Sequence, residues 1–393
     1  MKISIVLGRG IEGCGVTKNS VEWETWLEDN GHTVTVYASK DKKWSRDKSH
    51  NIKNLVHVRF DNDDFDQVYE GCKSSDIIIF SSLPSTNHSQ KCINNFSKLF
   101  DLNVKKVSFQ HDHNKSSLRR NAQTLLLDSI EKVDMIFAHS TTSDFADMVN
   151  TPNLFDMRER EIHLRQPAIN FAEHKKYRKP LDQQDPKHHK WVGRTARWKG
   201  YDLMFSWHNY LKDIGHLTTF EGIEKSPVFI EFKRDFEFHD CLDLNPNDVD
   251  LQDRYGEMAT VFSQYINEQM LERMSRCGFG YQLSILNKKF LEKSLEFTHL
   301  EIVAVGAIPV FRKEYGDICI HRYYDKPLTE LDSGTIWLSN DNMKECIDLV
   351  QELSANEELR NEYRNKSYEV YSYYDSKYII QEMFNKIGEI VIK

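Results

Sequence analysis

Four short segments of the 393-residue chain combine residue types and spacings suited to a phosphorylated, hydroxyl-rich ligand. The first is Gly8-Arg9-Gly10-Ile11-Glu12-Gly13-Cys14-Gly15-Val16-Thr17-Lys18, directly after an apolar run. Glycines let the backbone approach a ligand, and a helix opening there offers unpaired N–H groups and a positive dipole end. Residues 8–13 also fit G-x-G-x-x-G, which keeps a nicotinamide-binding domain open. Against it, the second strand ends at Tyr37-Ala38-Ser39 without the acid that would hold a ribose. The second segment is Gln110-His111-Asp112-His113, following the strand-like Val104–Phe109. A strand carboxyl end is where α/β sheets bind ligands, and Asp112 between two imidazoles can serve as a base, an electrostatic stabiliser or a sugar anchor. A His-x-His pair with a carboxylate also suits a metal, but the sequence offers no further ligand cluster, so no metal is expected.

The third segment is Trp191-Val192-Gly193-Arg194-Thr195-Ala196-Arg197-Trp198-Lys199-Gly200. Arg194 and Lys199 are close enough to reach one diphosphate across a turn, the guanidinium as a planar fork and the ammonium as a point charge. Together they can neutralise a departing nucleoside diphosphate. The fourth is His299-Leu300-Glu301 leading into Gly306-Ala307-Ile308-Pro309-Val310. An acid at the start of a helix suits bidentate hydrogen bonding to a ribose diol, with the helix end favouring the carboxylate.

The elements that must position these residues follow a βαβ rhythm. Strands are expected at Ile3–Leu7, Thr33–Tyr37, Leu55–Phe60, Asp76–Phe80, Val104–Phe109 and Met135–Ala138, with helices between, the first carrying Val21, Trp23, Trp26 and Leu27. This implies a parallel sheet covered on both faces. Prolines at 152, 167, 180 and 186 break the pattern, which puts the domain junction near Gln166–Pro186. The second half restarts at Lys190–Val192, continues with Thr218–Glu221, Val228–Phe232, an edge strand Gly278–Leu283, a helix ending near Val305, Ile308–Phe311 and Thr335–Leu338. From Asn342 the chain is expected to be helical to its end. The expected architecture is two Rossmann-like doubly wound domains, 1–175 and 186–393, facing across a deep cleft, with C-terminal helices crossing back.

Composition bounds the function classes. Hydrophobic residues make 39% of the chain and no stretch approaches a membrane span, so no membrane partner is expected. The apolar run Ile3–Leu7 is too short for a secretory signal, which points to the cytosol. Seven scattered cysteines without a CxxC pair argue for buried thiols rather than disulfides or structural zinc. Net charge is −8, yet Lys40–His50 holds five Lys/Arg against two Asp around Trp44, and Lys175–Lys179 (KKYRK) holds four cations around Tyr177. By contrast, Glu231–Glu257 has nine acids and three Lys/Arg. Such basic stretches are either solvated loops or phosphate contacts.

In this order, GRGIEGCGVTK, QHDH followed by SLRRN (Ser117–Asn121), VGRT-x-x-WKG, the run Tyr265–Ser284 ending in GFGYQLS, and Thr298–Phe311 resemble the DNA α-glucosyltransferase family of T-even phages, of GT-B fold. The resemblance covers nearly the whole chain. It implies transfer of glucose from UDP-glucose, with retention, to 5-hydroxymethylcytosine in double-stranded DNA, without a metal, by a monomer in the cytoplasm of the infected host. The modification would shield phage DNA from host nucleases. By the same resemblance, Arg194 and Lys199 hold the UDP phosphates, Glu301 the ribose, Gly13, Cys14 and Gly15 line the donor pocket, and His111 and Asp112 lie at the reacting centre. Lys42, Lys43, Arg46, Arg119, Lys175 and Lys176 would contact DNA, and the target base would be flipped out to reach a deep centre.

The chain departs from the family pattern at Gly8, Ala196, Arg197, Val305 and Ala307, all beside the donor pocket. UDP-arabinose is therefore an alternative donor. A GT-B enzyme acting on a glycan, and a binding module without activity, are the competing classes; retention of Arg194, Lys199 and Glu301 counts against the second.

Overall fold

The computed structural model describes residues 1–8, 15–39, 52–84, 89–110, 125, 128–138, 162–164, 166–192, 200–221, 267–285 and 295–392. They divide into two compact units, one built from Met1–Ala168 and Ser376–Lys393, the other from Ile169–Lys288 and Leu295–Asp375.

The first unit runs β1 (Lys2–Leu7), α1 (Gly15–Asp29), β2 (Thr33–Ser39), β3 (Leu55–Val58), α2 (Asp64–Lys73), β4 (Ile77–Ser82), α3 (Gln90–Phe100), β5 (Lys105–Gln110), β6 (Met135–Ala138) and β7 (Ile162–Leu164). Its described strands form one parallel sheet in the order β3-β2-β1-β4-β5-β6-β7. Strands covered on both faces read as continuous apolar runs, and Ile77–Ile79 are wholly buried in that way. β7 was not expected, because it lies in the proline-interrupted stretch.

After β7 the chain forms α4 (Phe171–Lys175). Residues 169–175, expected in the first domain, belong to the second unit: Ile169 bridges to Asp375, and the Phe171 N–H donates to Asp375 Oδ2 at 3.1 Å. The second unit continues with β8 (Asp185–Val192), α5 (Tyr201–Asp213), β9 (Leu217–Glu221), α6 (Asn267–Ser275), β10 (Cys277–Gln282), α7 (Phe297–Ala304), β11 (Ile308–Arg312), α8 (Lys313–Ile318), β12 (Ile336–Leu338), α9 (Met343–Ala355) and α10 (Glu357–Tyr371). Its sheet is also parallel, ordered β12-β11-β10-β8-β9.

Two expectations are corrected here. The strand at 277–282 is central, not an edge. Its Phe279 and Tyr281 are fully buried on one face, while a Cβ on Gly280 would lie 2.8 Å from Ile302 of α7 on the other. β8 begins at Asp185 rather than Lys190, because His188 and His189 are strand residues: the His188 ring meets Thr219 Oγ1 at 2.7 Å, and His189 stacks on Phe279 at 4.3 Å. The C-terminal region is helical as expected, in successive helices: Asn356 ends α9 and its side chain caps α10 through the Leu359 N–H at 3.1 Å. The final helix, α11 (Ser376–Ile392), packs in the first unit, with Phe384 against Trp26 at 5.4 Å. The expected strand Val228–Phe232 lies outside the described residues. Cys72, Cys92, Cys277, Cys319 and Cys346 are buried thiols that form no disulfide with one another, and burial pushes the Cys72 thiol up to about 12.

The buried His208 of α5 is lowered to about 4, by desolvation first and by Lys212 second. A group whose folded-state pKa lies below its unfolded value contributes stability above the unfolded value and loses it as pH falls. The window here runs from about pH 6.5 down to about 4, and the loss is on the order of 3 kcal/mol. Thermal melting should therefore drop steeply across that window, and less steeply in His208→Asn. Parallel melting curves of the two proteins would show that the slope comes from elsewhere.

Candidate functional site

In both sheets the strand order reverses once, at β1/β4 and at β8/β10. Connections leave such neighbouring strands in opposite directions, which opens a crevice outside their carboxyl ends.

At the first reversal, the Gly8 N–H donates to Ser82 O at 2.8 Å, and an added Cβ would lie 2.5 Å from Pro84. Only glycine fits between the ends of β1 and β4, so the glycine-rich segment leaves the sheet at this crevice. It rejoins the described chain at Gly15, the first residue of α1. Ser20 of α1 meets Ser81 at 2.8 Å, tying that helix to the end of β4. Farther along the same sheet edge, β5 ends at Gln110, which is 3% exposed. Its Nε2 donates to Ser108 Oγ at 2.6 Å and Ser129 Oγ at 3.0 Å. Gln110 thus fixes the point from which His111 and Asp112 depart. His111, Asp112, Gly13, Cys14, Lys42, Lys43, Arg46 and Arg119 lie outside the described residues. So do Arg194 and Lys199.

At the second reversal, β8 ends at Val192 and the chain is next described at Gly200. Gly200 has φ +76°, and an added Cβ would lie 1.5 Å from Leu283 O. Both ends of the segment carrying Arg194 and Lys199 are therefore fixed at the β8/β10 crevice. Leu283 O also lies 3.5 Å from Nη1 of Arg312, a largely buried cation at the end of β11.

Glu301 is buried (1% exposed), but it is the fifth residue of α7, not at its start. The helix begins at Phe297 because Glu296 and His299 form a reciprocal capping box, with His299 Nδ1 accepting the Glu296 N–H at 3.0 Å. The helix-end dipole therefore acts on Glu296 rather than on Glu301. His299 is further held edge-on to Phe311 at 4.4 Å. At the other end Gly306, φ +82°, closes the helix: its N–H reaches Val303 O at 3.0 Å and that of Ala307 reaches Ile302 O at 3.2 Å, the Schellman pattern. Gly306 O accepts from Arg364 Nε at 2.7 Å and Gln184 Nε2 at 3.1 Å. The helix bearing Glu301 is thus fastened at both ends.

The stretch 175–179 is engaged within its own unit. Lys175 and Arg178 lie over the Tyr368 ring at 5.5 and 5.2 Å, Lys176 pairs with Glu173, and Lys179 pairs with Glu272 at 2.9 Å. Lys175 and Lys176 still expose much of their surface. Sequence reasoning gave no role to Gln282, Ser284, Glu296 or Arg312, although GFGYQLS was noted as a run. Among the described residues no His/Cys/Asp/Glu group has metal-binding geometry, and no helix is long and apolar enough to cross a membrane.

A family model described as DNA alpha-glucosyltransferase matches residues 14–358. The DNA alpha-glucosyltransferase of Enterobacteria phage T4 is 38% identical over 409 residues, covering 98% of this chain and 100% of the relative. A solved alpha-glucosyltransferase in complex with UDP matches with a TM-score of 0.83 at 36% identity, covering 100% of both chains. Another, in complex with UDP-glucose and DNA containing an abasic site, gives 0.83 at 36% identity, covering 100% of this chain and 99% of that one. The catalytic domain of starch synthase IV from Arabidopsis thaliana, at 11% identity and a TM-score of 0.60, covers 98% of each chain and shares the GT-B fold alone.

Because Gln110 holds the strand end rather than the nucleotide, Gln110→Ala should lower kcat by about tenfold or more while leaving the donor KM within about twofold. Steady-state kinetics with a varied UDP-sugar checks this; unchanged kcat would remove the positioning role.

Proposed function

The chain belongs to the DNA alpha-glucosyltransferase family, and on that premise we propose that it transfers glucose from UDP-glucose to the hydroxymethyl group of 5-hydroxymethylcytosine in double-stranded DNA. It is a UDP-sugar-dependent glycosyltransferase of GT-B fold. The observation that carries the proposal is the β8/β10 crevice, where the segment containing Arg194 and Lys199 begins and ends against the strand that leads to the Glu301 helix. In this reading the second unit takes the donor, and cations of both units contact the DNA. Arg194 and Lys199 bind the diphosphate, Glu301 the ribose hydroxyls, and Gly13–Gly15 line the sugar pocket.

The acceptor hydroxyl oxygen attacks the anomeric carbon as its bond to the UDP phosphate breaks. Retention follows when attack comes from the face that UDP leaves, the departing phosphate taking the hydroxyl proton. His111 and Asp112 sit at this centre; Asp112 stabilises the cationic sugar without forming a covalent bond to it. Fixed cations at the phosphates stabilise the charge that develops on the leaving group. An alpha-glucosyltransferase has been solved with UDP and a 13-mer DNA containing a HMU base, and another with DNA containing an abasic site. These complexes support DNA as the acceptor; in this reading the acceptor base leaves the stack, with Lys42, Lys43, Arg46, Arg119, Lys175 and Lys176 on the phosphates. The product is modified phage DNA in the cytoplasm of the infected host.

Hydroxymethylated DNA incubated with a panel of UDP-sugars should gain one hexose per modified nucleoside with UDP-glucose, read by nucleoside mass. A pentose gained from UDP-arabinose instead would reassign the donor, and transfer to neither hydroxymethylated nor ordinary DNA would refute the reading. Arg194→Ala and Glu301→Ala should each weaken UDP binding by about 10- to 100-fold at unchanged melting temperature, measured by calorimetry. Wild-type affinity in both variants would sink the donor site.

A further inference from the structure

Gln282 ends the central strand of the second sheet, on the β8/β10 crevice. It is fully buried, and its Nε2 donates to Glu296 Oε2 at 3.1 Å. An ionised carboxylate only accepts hydrogen bonds, so Glu296 fixes which way the amide faces and directs Oε1 to the opposite side. That oxygen has no hydrogen-bond partner among the described residues. Two residues on, the Ser284 hydroxyl is 2% exposed and likewise has no partner among them. A buried polar group left unpaired costs about 1–3 kcal/mol, and two of them at one strand end mark a place that another molecule completes.

The close approach of α7 creates this arrangement. Gly278, Gly280 and Gln282 share one face of β10 by the alternation of a strand. With no side chain at Gly280, Ile302 of α7 packs onto the strand backbone. The same packing brings the capped start of α7, and with it Glu296, to Gln282. Beside them, Leu283 O is approached by Gly200, where the segment carrying Arg194 and Lys199 returns.

We infer that Gln282 and Ser284 bind a hydroxyl of the UDP-sugar, Gln282 Oε1 accepting its proton and Ser284 Oγ–H donating to its oxygen. This rests on the donor site proposed above. The acceptor-only face of Gln282 rejects phosphate oxygens, which also only accept, and matches the hydroxyl of a ribose or of the transferred sugar.

The test uses the full-length protein, calorimetry, and three ligands: UDP-glucose, UDP and 2′,3′-dideoxy-UDP. Gln282→Leu keeps the bulk of the side chain and removes the amide; Ser284→Ala is the independent variant should the first not fold. Each should weaken UDP-glucose binding by about tenfold, the usual effect of one lost hydrogen bond. If UDP binding is unchanged, the hydroxyl belongs to the transferred sugar. If UDP is weakened and the dideoxy nucleotide is not, it belongs to the ribose. Equal weakening of all three ligands would place the pair on the base and overturn the assignment. So would wild-type affinity for all three. Wild-type binding of UDP and its loss in Glu301→Ala test the donor site separately, so a failure there is distinguishable from a failure of this inference.

Discussion

A parallel sheet must send every connection across one of its faces, and that constraint organises both units. Where the strand order reverses, two adjacent connections leave in opposite directions and the carboxyl ends of the two strands stay uncovered. The protein places a glycine at each reversal, Gly8 against Pro84 and Gly200 against Leu283, at distances no other side chain tolerates. Glycine here serves close packing of backbone on backbone. In consequence the glycine-rich and Arg194–Lys199 segments must start or end at the crevices, whatever path they take.

Helix α7 shows how much structure a single carboxylate needs. Its start is fixed by the Glu296–His299 box, its end by the left-handed Gly306, and its face by Gly280. The Arg364 guanidinium on Gly306 O then ties the helix end to α10. Glu301 contributes none of these constraints and benefits from all of them. For the ribose-binding role proposed for Glu301, the carboxylate must keep its place when the nucleotide is absent, and burial within a helix fastened at both ends provides that.

The sequence was readable where one physical rule dominated. β1 and β4 are apolar runs because both faces are covered, and the sequence alone places both as strands. It was misleading where two rules competed. Asp185-Pro186-Lys187-His188-His189 reads as polar loop, yet His189 lies flat between core neighbours and burial holds its ring well below the usual histidine range, hence neutral. The glycines of β10 weaken strand propensity, yet the strand is central; they are there because a helix presses on the strand from one side. Glu301 resembled a capping residue because the true cap, Glu296, pairs with a histidine rather than with the glutamate or glutamine of the usual box. Gln110 and Gln282 carried no signal, since an amide's role is set by partners that local sequence does not reveal.

Charge was the least legible property, and the reason is physical. Arg178, Arg360 and Arg364 are formally three cations in a protein of net charge −8. Yet Arg364 donates to Gly306 O and Lys179 O, Arg360 to Leu353 O and Ser354 O, and Arg178 stacks on Tyr368. Burial, with Arg178 and Arg360 nearby, brings Arg364 down to about 10. Arg360 and Arg364 satisfy carbonyls where helices and loops end, Arg178 is held by Tyr368 and the Asn365 amide, and all three add little to the field felt by a polyanion. Lys175 and Lys176, in the same basic stretch as Arg178, keep their ammonium groups near the surface, where counterions respond to them. A count of Lys and Arg merges these two populations, and only their partners separate them. An overall negative charge is thus compatible with work on DNA, provided the cations outside the carbonyl-binding set are gathered where the phosphates pass.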